Sequence, residues 1–169
     1  MDALKAAALL FVAVLVQVSI LGGYSPLGGS PDLLLVVLLS IALLRGSIFG
    51  AIAGFGAGFL VDIANLGTLG FTSLLLTLAG YWTGRYGETT GRDRAHAPAL
   101  SVAVITVLYQ VAALVLRYML GQNAPGGAIF EALAPTMLLN LILTFPVYAL
   151  TRRLLRPRDW APREVRLLG

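Results

Sequence analysis

The 169-residue chain has no cysteine, which excludes disulfides, thiolate metal sites, a catalytic thiol and lipidated cysteines. Its one histidine, His96, follows the charged run Arg92-Asp93-Arg94, where a solvated ring is the plain reading and a metal ligand is not. Charge is scarce: Asp, Glu, Lys and Arg make up 12% of the residues, about half the share usual in a soluble domain. Neither a phosphate-cradling G-x-x-x-x-G-K-[ST] loop nor an H-E-x-x-H zinc motif occurs. No stretch between apolar segments is long enough to fold alone, so neither an ectodomain nor an ATPase domain is expected. These absences leave no cofactor to expect and speak against an enzyme.

What the chain has in abundance is apolar sequence, 58% of all residues. The apolar stretches run Leu4–Leu21, Leu33–Leu44, Ile48–Val61, Thr68–Thr83, Ala99–Leu120 and Ile129–Leu150. A crossing needs about 20 residues, with roughly 17 as the lower limit. The second and third stretches fall short, and fused from Leu33 to Val61 they would leave five spans. Fusion puts Arg45 near the bilayer centre, at a cost of about 2.5–3.5 kcal/mol. A break at Arg45-Gly46 makes that arginine a hairpin tip instead.

Six spans with the N-terminus inside place Lys5, Arg45, Arg85, Arg92, Arg94, Arg152, Arg153, Arg156, Arg158, Arg163 and Arg166 in the cytoplasm, and Arg117 alone outside. That bias follows the positive-inside rule. The expectation is therefore an all-α integral membrane protein: one transmembrane domain over 1–169, six helices in one bundle and both termini cytoplasmic. The spans fall at about 4–21, 32–44, 47–62, 68–84, 98–120 and 129–151, with a basic tail at 152–169. The N-terminal run shows no small-residue cleavage site and reads as a retained first span. The short second and third helices should thin the bilayer or pack against longer neighbours. Asp32, after Ser30-Pro31, should sit at the start of the second helix, where the dipole favours an acid. Pro146 should kink the sixth helix.

Within the third span Gly46, Gly50, Gly54 and Gly58 recur every fourth residue, and Asp62 continues the register. Residues four apart share a helix face, and a bare face lets another membrane helix approach closely. An ionisable group on that face marks a place where the packed interior meets water or a partner. Two further polar groups stand out. Gln110 and Asn140 lie near mid-span on adjacent helices, where an amide–amide bond or a small polar pocket is expected. Asp32, Asp62, Arg117 and Glu131 lie toward the outer surface. They read either as an ion-pair set, Arg117 with Asp62 or Glu131, or as a pocket or partner-docking mouth. The arginine-rich tail suits anionic lipid. It lacks the interleaved aromatics of a nucleic-acid surface.

The ordered residues Pro31-Asp32-Leu33-Leu34-Leu35, Arg45-Gly46, Gly54-Phe55, Gly58-Phe59-Leu60-Val61-Asp62, Leu69-Gly70 and Gly80-Tyr81 resemble the MreD family of rod shape-determining membrane proteins. The resemblance is sharpest from Pro31 to Tyr86. It implies a non-enzymatic subunit of the cell-wall elongation machinery in the bacterial cytoplasmic membrane, bound to the single-span shape protein MreC. Through MreC it implies cooperation with the MreB filament and with the elongation glycosyltransferase and transpeptidase. The implied fold is that of the substrate-binding membrane subunit of energy-coupling-factor vitamin transporters. That subunit is also the alternative function, one that a flanking ATPase gene pair would favour. A lipid or small-solute carrier using a Gln110–Asn140 pocket is a third class.

Overall fold

A computed structural model describes residues 2–21, 28–66, 68–90, 96–121 and 126–155. Much of the expected first outer loop, the charged run Arg92–Arg94, Pro125 and most of the basic tail lie outside them. The described residues form helices α1 (Asp2–Val16), α2 (Leu33–Arg45), α3 (Ser47–Ala64), α4 (Phe71–Thr90), α5 (Ala97–Met119) and α6 (Gly126–Leu155), with no strand among them. A π-helical turn, Gln17–Leu21, continues α1. Four stretches are long and apolar enough to cross a membrane: Ala3–Leu21, Ser47–Ala64, Ala97–Met119 and Glu131–Leu155. α4 outruns its expected end near residue 84 and reaches Thr90, carrying Arg85 and Glu88 on added helical turns. α6 continues through both Pro135 and Pro146.

α2 is the axis of the fold. Leu34 through Leu43 are all buried, on every face of the helix, and α2 contacts each of the other five helices. A helix that is apolar all round suits such a position. Its 13 residues rise only about 20 Å, against a hydrocarbon thickness of about 30 Å. That mismatch brings little penalty when protein rather than lipid surrounds the helix. Shielding by neighbours thus applies to α2 and not to α3. α3 turns Ile48 (74% exposed), Ile52 and Phe55 outward, and its 18 residues meet the length of a span.

α2 and α3 are separated by one residue, Gly46, at φ +95°. A side chain is strained there, and glycine is not. The expected break at Arg45-Gly46 is therefore a sharp corner. Arg45 stays half-buried beside it, its guanidinium 6.0 Å from the centre of the Phe49 ring. Directly after the corner, Ser47 donates its N–H to Glu88 Oε1 (2.7 Å) and its hydroxyl to both Glu88 oxygens (3.0 and 3.1 Å). The far end of α4 thereby caps the start of α3, an orphan donor that would otherwise go unmet.

Candidate functional site

Because α2 begins part-way through the structure, its first amide groups need partners inside the protein rather than in water. Each finds one. Ser30 N–H donates to Thr136 Oγ1 (3.1 Å), and Asp32 N–H donates to Asn140 Oδ1 (2.8 Å). Leu33 and Leu34 share Gln17 Oε1 at 2.9 and 3.4 Å, and Leu35 donates to Asp32 Oδ1 at 2.9 Å. Pro31 has no N–H to satisfy, and its carbonyl accepts from Gln17 Nε2 at 3.2 Å. Gln17 opens the π-helical turn, an irregularity that often serves to re-aim a side chain. Asn140 completes its bonding by donating Nδ2–H to Thr106 Oγ1 (3.2 Å).

The mid-span amides therefore do not pair. Asn140 is fully buried at the start of α2, whereas Gln110 is half-buried and lines a cavity on the other side of that start. Asn140 meets α5 at Thr106, one helical turn before Gln110 on the same face, so a turn along the axis separates the two amides.

The glycine stripe faces α4. A Cβ at Gly54 would overlap the Leu76 carbonyl, one at Gly58 would lie 2.6 Å from the Ser73 nitrogen, and one at Gly50 would overlap the Gly80 carbonyl. Gly46 itself belongs to the corner. The matching face of α4 carries glycines too: a Cβ at Gly80 would strike the Gly50 backbone, one at Gly84 the Gly46–Ser47 backbone and one at Gly87 the Leu43 carbonyl. This second stripe escaped the sequence reading, although its spacing of four and then three is plain. α3 and α4 thus lie backbone against backbone, which only paired small residues permit.

Asp62 is buried at the end of the stripe, and among the described residues it forms no salt bridge with an arginine. Its oxygens accept from the N–H groups of Gly70 (2.9 Å), Thr72 (3.0 Å) and Ser73 (3.3 Å) and from the Ser73 hydroxyl (3.3 Å). An acid at a helix N-terminus meets both the free donors and the positive end of the dipole. Gly70, at φ +90°, gives the turn that aims those donors. The ion pair with Arg117 that charge suggested is replaced by the start of α4. Glu131 is exposed on α6 and does not line the cavity that Arg117 borders.

That cavity measures about 290 Å³ and opens where α2 and α4 begin and where α1, α3 and α5 finish. It exists because α2 is short: its floor is the α2 start, with Asp32 and Leu34, and its walls carry Gln17, Asn65, Thr72, Tyr109, Gln110 and Arg117. Asp32, Tyr109, Gln110 and Arg117 thus share one lining. Among the described residues, no three His, Asp or Glu side chains come together as a metal site.

The profile of the family described as rod shape-determining protein MreD matches residues 4–158. The chain belongs to the MreD family. That family is one of structural, shape-determining proteins, and with the four long apolar helices it makes this a membrane protein with a role in rod shape determination. No curated protein and no solved structure matches the chain. The residues that carry the MreD resemblance turn out to be those that join α2, α3 and α4. Pro31-Asp32 opens α2, Gly46 is the corner, Gly54 and Gly58 meet α4, and Asp62 with Gly70 caps it. Gln17, Glu88, Thr136 and Tyr109 were not foreseen. The fourfold spacing of Thr136, Asn140 and Thr144, all buried, was the available signal for a polar face on α6.

Proposed function

We propose that the chain is a non-enzymatic subunit of the bacterial cell-wall elongation machinery that binds an MreC-like single-span protein and helps to maintain rod shape and direct peptidoglycan synthesis. It works beside the elongation glycosyltransferase and transpeptidase and, through the partner, with MreB. It sits in the cytoplasmic membrane as six crossings with both termini inside, in the manner of the vitamin-binding membrane subunits of energy-coupling-factor transporters. Membership in the MreD family carries this reading.

The glycine stripe is occupied by α4, so a partner helix needs another surface. A groove of about 600 Å³ between α1 and α3 fits one, since small residues line both walls: Ala3, Ala7, Ala53, Gly56 and Ala57. Small side chains allow the close approach by which membrane helices associate. Gly56 is the discriminating position, because a Cβ there meets nothing within 4 Å. Gly56→Leu should leave the chain folded and fill the groove. Co-purification of the wild type from native membranes should bring down the single-span partner, and the Gly56→Leu protein should lose it at unchanged detergent melting temperature. Capture of an ATPase pair in place of cell-wall components would sink the shape reading. Full retention of the partner by Gly56→Leu would move the interface elsewhere.

A further inference from the structure

We propose that the cavity above the α2 start is a binding site for a small zwitterion, its ammonium group seated at Asp32 and its anionic group at Arg117. The inference goes beyond the shape-determining role and does not depend on it.

The cavity is polar at a depth where polarity is costly. Tyr109 and Gln110 lie in the middle of α5 and line it, yet among the described residues neither the tyrosine hydroxyl nor the Gln110 carboxamide has a hydrogen-bond partner. Asp32 accepts one hydrogen bond, from Leu35 N–H at Oδ1, and no cation of the chain pairs with it among the described residues. Asp32 is half-buried, and polar groups within a membrane bundle ordinarily mark a functional path or pocket. By contrast every donor at the α2 start and every Asp62 oxygen is met from within the chain. Thr83 and Ser101 also keep a buried hydroxyl without a partner, but only in the cavity do such groups stand beside an acid and a base.

The signs of the charges select the ligand. One acid forms part of the floor and one base, exposed, stands at the α5 end, so a simple anion or a simple cation would leave one of them unanswered. A molecule carrying both charges answers both, with Tyr109 and Gln110 placed to bond its middle. The volume of about 290 Å³ suits a molecule of amino-acid size and lies at the lower edge of ordinary ligand pockets. A free zwitterion and the headgroup of phosphatidylethanolamine present the same chemistry.

The experiment uses the full chain in phosphatidylglycerol nanodiscs, titrated calorimetrically with O-phosphoethanolamine, and native mass spectrometry after doping with phosphatidylethanolamine. Saturable binding of one molecule per chain is expected for the free probe, the lipid or both. Binding of the free probe identifies a soluble ligand, and retention of the lipid alone identifies a headgroup. Inorganic phosphate and ethanolamine, each carrying charge of one sign only, should bind far more weakly. Arg117→Gln and Asp32→Asn should each raise Kd by about 10- to 100-fold, the loss expected of one charge-assisted contact. Asparagine caps a helix as well as aspartate, so Asp32→Asn should keep its melting temperature. No saturable binding of either probe, equal binding of phosphate or ethanolamine alone, or binding unaltered in both variants would show a cavity filled by water only and overturn the proposal.

Discussion

At the scale of single residues, buried hydrogen bonding decides which polar side chains matter to folding. Asn140 and Gln110 carry similar carboxamides near the middle of their helices, but only Asn140 answers a backbone amide and a neighbouring hydroxyl. Asn140→Leu leaves the Asp32 N–H and the Thr106 hydroxyl without a partner, which costs about 1–3 kcal/mol. Gln110→Leu removes no bond among the described residues and should be close to neutral. Thermal unfolding in detergent compares the two directly, and equal losses would contradict the bonding described. Asp32→Ala should lower stability by about 1 kcal/mol through loss of the α2 cap, and Asp32→Asn should not. A matching drop in both would place the role of Asp32 in its charge.

At the scale of elements, two glycines of one helix should respond in opposite directions. Gly54 meets the α4 backbone, where even a methyl group would lie 2.6 Å from the Leu76 carbonyl carbon. Gly54→Ala should therefore destabilise by about 1–3 kcal/mol, the usual cost of overpacking, and Gly54→Leu should separate α3 from α4. Gly56 faces open space, so Gly56→Ala should stabilise by up to about 1 kcal/mol through helix propensity. A guanidine-free thermal series in one detergent resolves the sign of each; two losses of similar size would mean that both faces are packed. The same pairing of stripes explains why α3 tolerates so many glycines. Their weak propensity is offset by close contact with Gly80, Gly84 and the residues around them.

At the scale of the whole molecule, the distribution of charge is the ground for the proposal that the chain crosses the membrane six times. Ser30→Cys and Gly127→Cys, at exposed positions, should react with impermeant thiol reagents in intact cells. Thr89→Cys and Arg152→Cys, also exposed, should react only with permeant ones. The natural absence of cysteine makes the background of this measurement clean. External labelling at position 89 would overturn the topology, whatever the fate of the partner and ligand proposals.

Hydropathy and charge, which are sums over local sequence, were enough to place six helices and to break the chain at Arg45-Gly46, because lipid penalises a mid-span arginine wherever the neighbours are. The fourfold glycine spacing likewise revealed a bare face, since helical periodicity is a local property. What covered that face was not local: it depended on α4 arriving with its own glycines in register. The same limit applies to Asp62, which charge alone paired with Arg117 and which the fold gives to the α4 amides. It applies to Asn140, whose partner is the start of a helix more than a hundred residues away in sequence. Only the tertiary structure could decide that α2 is sheathed on every side, and a sheathed helix can be short. The cavity follows from that shortness, because the space that a full-length helix would have filled is left to Asp32, Tyr109, Gln110 and Arg117.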